Sequence, residues 1–192
     1  MNIGIFGGSF NPPHMGHLIV IESVRDQERF DSIVFVPSAS PPNKHDVALA
    51  PAADRLKMTQ LAVEGNPAFV ASDIEIRRPG LSFTVDTIDA LSALYAGHSL
   101  SLIIGSDNLL DFHTWKSPKE ILAKASLVVM NRPGFDLRQA HPEYTRLAKV
   151  VNVPQVGVSG TDIRRRIKLG RSVRYLVPKN VEDFLRYRDL YR

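Results

Sequence analysis

The chain alternates short apolar runs with segments in which apolar residues recur every three or four positions, and this alternation restricts the fold most. Four runs rich in Ile and Val predict buried parallel strands: Asn2 to Phe6, Ser32 to Val36, Ser101 to Gly105 and Leu127 to Met130. Helical patterns lie between them: Leu18 to Gln27, Ala52 to Glu64, Thr84 to Tyr95 and Pro118 to Lys124. We therefore expect an α/β fold with a single doubly wound, mostly parallel sheet.

The last third of the chain extends this pattern. Val150 to Val158 is expected to supply a last strand, and helices are predicted over Thr161 to Leu169 and Pro178 to Tyr187. We expect one domain over residues 1–192, with a small C-terminal helical part from about residue 159. The proline-rich segment Ser38 to Pro51 is predicted to be a long loop, and long loops in compact domains are often functional.

Composition excludes several classes of protein. The absence of cysteine excludes disulfides, thiolate zinc sites and a cysteine nucleophile. The segment Met1 to Phe6 lacks the basic region of a signal peptide, and no apolar run is long enough to span a bilayer. A cytoplasmic protein is therefore expected.

The net charge of +4 is concentrated in one stretch. Ser159 to Arg174 has a local charge of +5, which leaves −1 for the remainder. Its basic residues are Arg164, Arg165, Arg166, Lys168, Arg171 and Arg174. A patch this small suits a compact polyanion such as a triphosphate, whereas a nucleic acid would favour a wider basic surface with aromatic groups. On charge alone, a solvated helix face remains an equal alternative.

Polar clusters follow the predicted strands. In open α/β sheets, ligands bind beyond the carboxyl ends of the strands, where the strand order reverses. The clusters are Gly7, Pro37, Gly105 to Asp107, Asn131 to Gly134 and Ser159 to Thr161. We therefore expect the functional site at this edge.

The turn from Gly7 to His17 has the features of a phosphate site. Gly7 and Gly8 let backbone approach a ligand and can direct N–H groups toward an anion. Two prolines delay the helix until about His14 or Met15, so that its positive end faces the turn. His14 and His17 are expected to share a helix face and to donate N–H bonds to phosphate, with Gly16 leaving room for a phosphate or a base.

Other phosphate and nucleophile motifs do not fit this turn. The glycine spacings of a Walker A loop and of G-x-G-x-x-G are absent. A nucleophile elbow would need glycine where Asn11 stands.

A second candidate phosphate site begins the predicted helix after the last strand. Ser159 and Thr161 offer hydroxyl groups, Gly160 and Thr161 offer helix-end N–H groups, and Arg164 brings a positive charge to the same face. An ordinary N-cap followed by a basic helix is the alternative.

The first turn resembles the G-[ST]-F-D-P-x-H-x-G-H signature of the nucleotidyltransferase superfamily, with Asn11 in place of the usual aspartate. The side-chain amide of Asn11 must then make the hydrogen bonds to the turn and to the helix end that the aspartate would make. Val158 to Arg164 resembles the second signature of that superfamily, I-S-x-T-x-I-R, and Pro41 to Lys44 resembles P-P-H-K. The resemblance implies a Rossmann-like nucleotidyltransferase fold.

The middle of the chain resembles bacterial nicotinate-nucleotide adenylyltransferases. Four segments carry this resemblance: Ser82 to Thr87 (S-Y-T-x-D-T), Ile104 to Asp107 (I-G-x-D), Phe112 to Trp115 (F-x-x-W) and Arg132 to Gly134 (R-P-G). The chain departs from the family motifs at Asn11, Asn43, Phe83 and Gly160. The resemblance implies transfer of the adenylyl group of ATP to nicotinate mononucleotide, which gives deamido-NAD and pyrophosphate in NAD biosynthesis.

The resemblance also implies roles for individual residues. The catalytic candidates are His14, His17, Lys44 and Arg164. The ATP-binding candidates are Gly7, Gly8, Ser9, Phe10, His17, Gly105, Asp107, Ser159, Thr161 and Arg164. The mononucleotide-binding candidates are Ser9, Lys44, Thr84, Trp115, Lys116 and Arg132.

The chemistry of these groups suits the roles. Trp115 could stack on a pyridine ring, and N–H groups near Thr84 and Lys116 could bind its carboxylate. Lys44 could neutralise the leaving pyrophosphate. Magnesium is expected to bind mainly through ATP phosphates, because no carboxylate cluster is evident.

Several alternatives remain open. The chain could be a nicotinamide-mononucleotide or pantetheine-phosphate adenylyltransferase, or a non-catalytic nucleotide-binding module. Nucleic-acid binding by the patch from Arg164 to Arg174 is a third. The expected partners are ATP and nicotinate mononucleotide, and neither a nucleic acid nor a membrane is expected. The sequence does not determine the oligomeric state, and a homo-oligomer is one possibility.

Overall fold

The computed structural model describes residues 1–41, 49–131 and 134–192. Within these ranges, six parallel strands form one sheet in the order β3-β2-β1-β4-β5-β6. The strands are β1 (Asn2–Gly8), β2 (Ser32–Pro37), β3 (Phe69–Ala71), β4 (Ser99–Gly105), β5 (Ser126–Asn131) and β6 (Ala148–Asn152). The strand order reverses between β1 and β4, which confirms the predicted doubly wound parallel sheet.

The helices connect these strands and follow the last one. They are α1 (Met15–Glu28), α2 (Ala52–Val63), α3 (Thr84–Leu94), α4 (Ser106–Asp111), α5 (Pro118–Lys124), α6 (Pro142–Leu147), α7 (Gly160–Lys168) and α8 (Lys179–Tyr187). Two 3-10 turns span Phe112–Thr114 and Leu137–Gln139.

The sheet is buried on both faces, which explains the continuous apolar character of its strands. In β2, Val34 and Val36 pack in one apolar cluster with Ile88 of α3. Ile33 and Phe35 point into a second cluster on the other face, with residues of α1. Alternate residues of one strand therefore face helices on opposite sides.

A third apolar cluster lies beyond the sheet. Met58 of α2, Ile163 of α7 and Val181 of α8 are fully buried in it. Helices α7 and α8 thus pack on α2, and α7 begins near the end of β1.

The predicted last strand from Val150 to Val158 is wrong in its limits. β6 spans Ala148–Asn152 and pairs with β5, and the chain then runs without helix or strand to Ser159. Pro154 cannot donate to a ladder and Gly157 weakens strand structure, so Val153, Val156 and Val158 do not extend β6. Sequence patterns also missed β3, α4 and α6, which are too short to show a period.

In the described residues, no helix has the combined length and apolar character required to cross a membrane.

Candidate active site

A cavity of about 550 Å³ opens at the carboxyl edge of the sheet, between the ends of β1 and β4. Gly8 and Gly105 line it from these two strands, and His14, Thr84 and Thr161 line it from the starts of α1, α3 and α7. This is the edge where the strand order reverses, and where the sequence predicts a ligand site.

The first glycine of the turn opens directly on the cavity. A Cβ added to Gly7 would have no described atom within 4 Å, whereas one on Gly8 would lie 3.2 Å from the Phe10 ring. Phe10 has a φ of +44°, and its buried ring packs against Phe6 and Phe35. The aromatic core therefore holds a left-handed backbone residue that turns the chain past the cavity.

His14 and His17 meet at the start of α1. Their rings are stacked with centroids 3.6 Å apart, and His14 is the N-cap rather than a helical residue. The His14 backbone N–H donates to Nδ1 of His17 at 3.2 Å. Because Nδ1 of His17 accepts this bond, the neutral ring has its proton on Nε2, where it can serve as a donor.

Gly16 makes room for a neighbouring side chain. A Cβ at this position would lie 3.0 Å from Nδ1 of His14 and 3.5 Å from the carbonyl oxygen of Val158. The absence of a side chain at Gly16 therefore accommodates the His14 ring, and the space for a phosphate or a base beside it stays a prediction.

The start of α7 faces the turn. Gly160 and Thr161 line the cavity, and a Cβ on Gly160 would lie 3.1 Å from the carbonyl oxygen of Asn11. Nη1 of Arg164 donates to that carbonyl at 2.8 Å, and Nη2 donates to Oγ1 of Thr161 at 3.2 Å. The turn and α7 thus form opposing walls joined by Arg164.

Ser159 also has a structural role. Its hydroxyl oxygen accepts the N–H of Asp162 at 3.1 Å as the N-cap of α7, which gives an N-terminal N–H a partner, and the side chain is outside the cavity lining. The hydroxyl can still donate its own proton, so its contact with ATP stays a prediction.

The basic patch does not face the cavity as a unit. Of its six cations, all in the described part of the chain, only Arg164 lines the cavity. Arg165 and Arg166 pair with Asp162 at 2.6 and 2.9 Å, and their hydrogen bonds hold the pKa of that carboxyl below its ordinary value. Within the patch, Arg164 is thus placed for a polyanion in the cavity, whereas Arg165 and Arg166 fit the alternative of a solvated helix face.

Another wall of the cavity, separate from the turn and α7, contains predicted mononucleotide-binding residues. Thr84 begins α3, where the first N–H groups of a helix have no partner within it. Trp115 lies beside Phe112 with ring centroids 5.1 Å apart, and both Thr84 and Trp115 line the cavity. Lys116 places Nζ 4.6 Å from the Phe83 ring centroid and 3.3 Å from Oδ1 of Asp86. Phe83 thus contributes a ring face, although it lacks the hydroxyl of the usual tyrosine.

Glu75, Thr87 and Asn108 also line the cavity. Thr87 ends the Ser82 to Thr87 motif but had no assigned role, and no motif had marked Glu75 or Asn108. Glu75 is buried, and its Oε1 accepts the hydroxyl of Thr87 at 2.7 Å. Its Oε2 has no hydrogen-bond partner in the described part of the chain, so the carboxylate is a polar group in the cavity wall.

Other predicted residues have mixed positions. Ser9 and Gly105 line the cavity. Asp107 lies in the first turn of α4 but outside the lining, because that turn brings Asn108 to the cavity instead. Lys44 and Arg132 lie outside the described residues.

Arg55 of α2 fixes the turn from behind. It is 1% exposed, and Nη1 donates to the carbonyl oxygens of Ser9 at 2.9 Å and Ser38 at 2.5 Å. Nη2 and Nε donate to the carbonyl oxygens of Ala39 and Ala50 at 3.1 and 2.9 Å. Burial lowers the pKa of Arg55. The sequence did contain an indication of this role. Arg55 lies on the same face of α2 as the apolar residues Met58 and Ala62, and an arginine at a core-facing position must find buried hydrogen-bond acceptors.

The side chain of Asn11 makes two long-range hydrogen bonds. Its Oδ1 accepts the N–H of Ala50 at 3.0 Å and the hydroxyl of Tyr191 at 2.5 Å. The amide thus links the turn to the segment before α2 and to the residues after α8, which is long-range bonding that local sequence could not indicate.

The described side chains include no group of three or more His, Asp or Glu arranged to hold a metal ion. The polar side chains that line the cavity are mainly hydroxyls, with two imidazoles, two amides, the cations Lys116 and Arg164, and the carboxylate of Glu75. The O–H and N–H donors and the two cations suit phosphate oxygens.

The chain matches the cytidylyltransferase-like family over residues 5–166. It is 43% identical to the "Probable nicotinate-nucleotide adenylyltransferase" of Salinibacter ruber, over all of this chain and 98% of that protein. It is 44% identical to the protein of the same name from Thermus thermophilus, over the full length of both. The structure of Plasmodium falciparum nicotinic acid mononucleotide adenylyltransferase complexed with NaAD has the same fold, with a TM-score of 0.79, 17% identity and coverage of 99% of this chain and 97% of that chain.

Proposed function

The chain belongs to the cytidylyltransferase-like family and to its nicotinate-nucleotide adenylyltransferases, and on this premise we propose that the cavity transfers the adenylyl group of ATP to nicotinate mononucleotide. The products are deamido-NAD and pyrophosphate, and the reaction is a step of NAD biosynthesis. One observation carries the proposal. A single cavity joins the glycine turn with its stacked His14 and His17 to the wall that contains Thr84 and Trp115.

ATP occupies the space between the turn and α7. Gly7 lets the triphosphate approach the backbone, and Nε2 of His17 donates to a phosphate oxygen near the positive end of α1. Arg164 faces the same space from α7 and stabilises negative charge on the departing pyrophosphate. ATP enters as its magnesium complex, with the metal held mainly by its own phosphates.

Nicotinate mononucleotide occupies the other half of the cavity. Trp115 stacks on the pyridine ring, and the N–H groups at the start of α3 bind the ring carboxylate. Lys116, which lies beside Phe83 and Asp86, adds positive charge on the carboxylate side. A carboxylate gains more from these donors than a neutral carboxamide does, which favours nicotinate over nicotinamide.

The chemistry is a direct in-line displacement. An oxygen of the 5′-phosphate of nicotinate mononucleotide bonds to the α-phosphorus of ATP, and the bond from that phosphorus to the bridging oxygen breaks. The electron pair leaves with pyrophosphate. The attacking phosphate is already an anion, so the protein needs no general base, and its residues position the reactants and stabilise charge. From the sequence, we also assign Lys44 and Arg132 to phosphate binding as cations.

A pyrophosphate-release assay with ATP and a panel of acceptors tests the proposal. Nicotinate mononucleotide should give the highest kcat/KM, ahead of nicotinamide mononucleotide and 4′-phosphopantetheine. Preference for either of the other acceptors would overturn the substrate assignment. ATP binding without pyrophosphate release with any acceptor would instead favour a non-catalytic nucleotide-binding module.

Two further parts of the proposal concern partners and location. We propose no role for nucleic acid, because the basic residues are confined to the short stretch from Ser159 to Arg174, whereas a nucleic acid would favour a wider basic surface. Salt-sensitive oligonucleotide binding would contradict this. We place the reaction in the cytoplasm, since a chain without cysteine suits a reducing compartment.

A further inference from the structure

The residues after α8 reach back to the active-site turn. The hydroxyl of Tyr191 donates to Oδ1 of Asn11 at 2.5 Å, and the tyrosine ring packs at the border of the third apolar cluster. Burial raises the pKa of the Tyr191 phenol well above its ordinary value, so the hydroxyl remains a proton donor throughout the neutral range. Asn11 is 4% exposed, so this bond lies inside the protein.

Asn11 is also the residue that holds Arg164. The carbonyl oxygen of Asn11 accepts Nη1 of Arg164, and the same arginine bonds Thr161 through Nη2. The side chain of Asn11 is fixed by Tyr191 and Ala50, and its backbone fixes the arginine. A continuous set of hydrogen bonds therefore leads from Tyr191 through Asn11 to the guanidinium on the ATP side.

We propose that Tyr191 is a positioning residue for the ATP half of the active site, acting through Asn11 on Arg164. The inference rests on the proposed function, because it assigns Arg164 to the triphosphate. The hydroxyl of Tyr191 contacts neither substrate. It restricts Asn11 to the one orientation in which the carbonyl oxygen meets the guanidinium.

The segment that carries Tyr191 has other attachments to the protein. Arg188 pairs with Asp54 of α2 at 3.1 Å, and Leu190 packs against the third apolar cluster. Tyr191→Phe keeps the ring and removes only the hydroxyl, so these contacts should keep the segment in place. The variant therefore tests the hydrogen bond rather than the docking of the segment.

Steady-state pyrophosphate release with Tyr191→Phe is the first measurement. The expected result is a roughly three- to tenfold loss in kcat/KM for ATP, the range that one lost hydrogen bond produces. The KM for nicotinate mononucleotide should stay within twofold of wild type, because Thr84 and Trp115 are not part of the hydrogen-bonded set. If Tyr191 only stabilised the fold, kcat/KM would instead fall for ATP and for nicotinate mononucleotide together.

Tyr187→Phe is the matched control, since this tyrosine of α8 is 83% exposed. The kcat/KM of this variant should equal the wild-type value for both ATP and nicotinate mononucleotide. An equal ATP defect in this control would contradict the inference, because the effect would then not depend on the bond to Asn11.

A double-mutant cycle with Arg164→Ala decides whether Tyr191 acts through the arginine. In the Arg164→Ala background, Tyr191→Phe should cause no further loss in kcat/KM for ATP. A loss equal to that in wild type would overturn the inference. If wild type itself releases no pyrophosphate, the proposed function fails; if wild type is active and Tyr191→Phe equals it, only the role of Tyr191 fails.

Discussion

The imidazole rings of His14 and His17 lie face to face, with 3.6 Å between their centroids, at the N-terminal end of α1. The backbone N–H of His14 fixes Nδ1 of His17 as an acceptor. This hydrogen bond requires that Nδ1 of His17 has no proton, which selects the tautomer of the neutral ring that is protonated on Nε2. In the proposed reaction Nε2 is then the donor to phosphate.

His17→Ala should remove one hydrogen-bond donor to the negative charge on the phosphates of ATP. We expect kcat to fall roughly 10²- to 10³-fold, as when one donor to developing negative charge is removed. The circular dichroism spectrum should not change. His98→Ala is the control, because His98 is exposed near the opposite edge of the sheet and bonds the amino terminus. Near-normal turnover in His17→Ala would refute the role of His17.

Trp115→Ala should weaken the mononucleotide and spare ATP. Loss of one aromatic stacking partner costs roughly 1–3 kcal/mol, so the KM for nicotinate mononucleotide should rise by at least about fivefold. Trp115→Phe retains a ring and should recover most of the affinity. Initial-rate kinetics with each substrate varied in turn would check this, and an equal rise in the KM for ATP would argue against separate halves of the cavity.

Gly160→Ala should separate α7 from the turn. The added Cβ would lie 3.1 Å from the carbonyl oxygen of Asn11, a backbone atom that cannot easily move aside. The KM for ATP should increase severalfold, because Arg164 moves with α7. Gly157→Ala, in the segment just before α7, is the control, since no described atom lies within 4 Å of its added Cβ. Equal KM values for the two variants would show that the close approach has no effect on binding.

Arg55→Met should lower stability more than it changes chemistry. The substitution leaves one buried and three partly buried carbonyl oxygens without the Arg55 donor, and we expect a loss of roughly 2–5 kcal/mol in the free energy of unfolding. Arg77→Met removes only an exposed ion pair with Asp73 and should cost less than about 1 kcal/mol. Urea unfolding of both variants measures the difference, and similar midpoints would contradict the role assigned to Arg55.

The sequence predicts the parts of this protein that depend on local pattern. Runs of Ile and Val identify β1, β2, β4 and β5, since a strand covered on both faces is apolar throughout. The longer helices follow from their apolar stripes. β3, α4 and α6 have three to six residues, too few for a period, and their positions depend on neighbours that are distant in sequence.

The candidate site shows the same division. Gly7, His14, His17, Thr161 and Arg164 follow from local motifs, and the structure brings all five to one cavity. The hydroxyl of Ser159 caps α7 and Gly16 makes room for the His14 ring, two contacts within the protein that the motifs did not indicate. Arg55, Glu75 and Tyr191 were missed because their partners lie 12 or more residues away in the chain or are backbone atoms.

The central claim is adenylyl transfer to nicotinate mononucleotide, and product analysis tests it most directly. Purified protein would be incubated with magnesium, ATP and nicotinate mononucleotide, and deamido-NAD and pyrophosphate would be quantified by chromatography over time. The account predicts that the two products form in equal amounts and that neither forms without the mononucleotide. Pyrophosphate release without deamido-NAD, or ATP binding with no product at all, would contradict it.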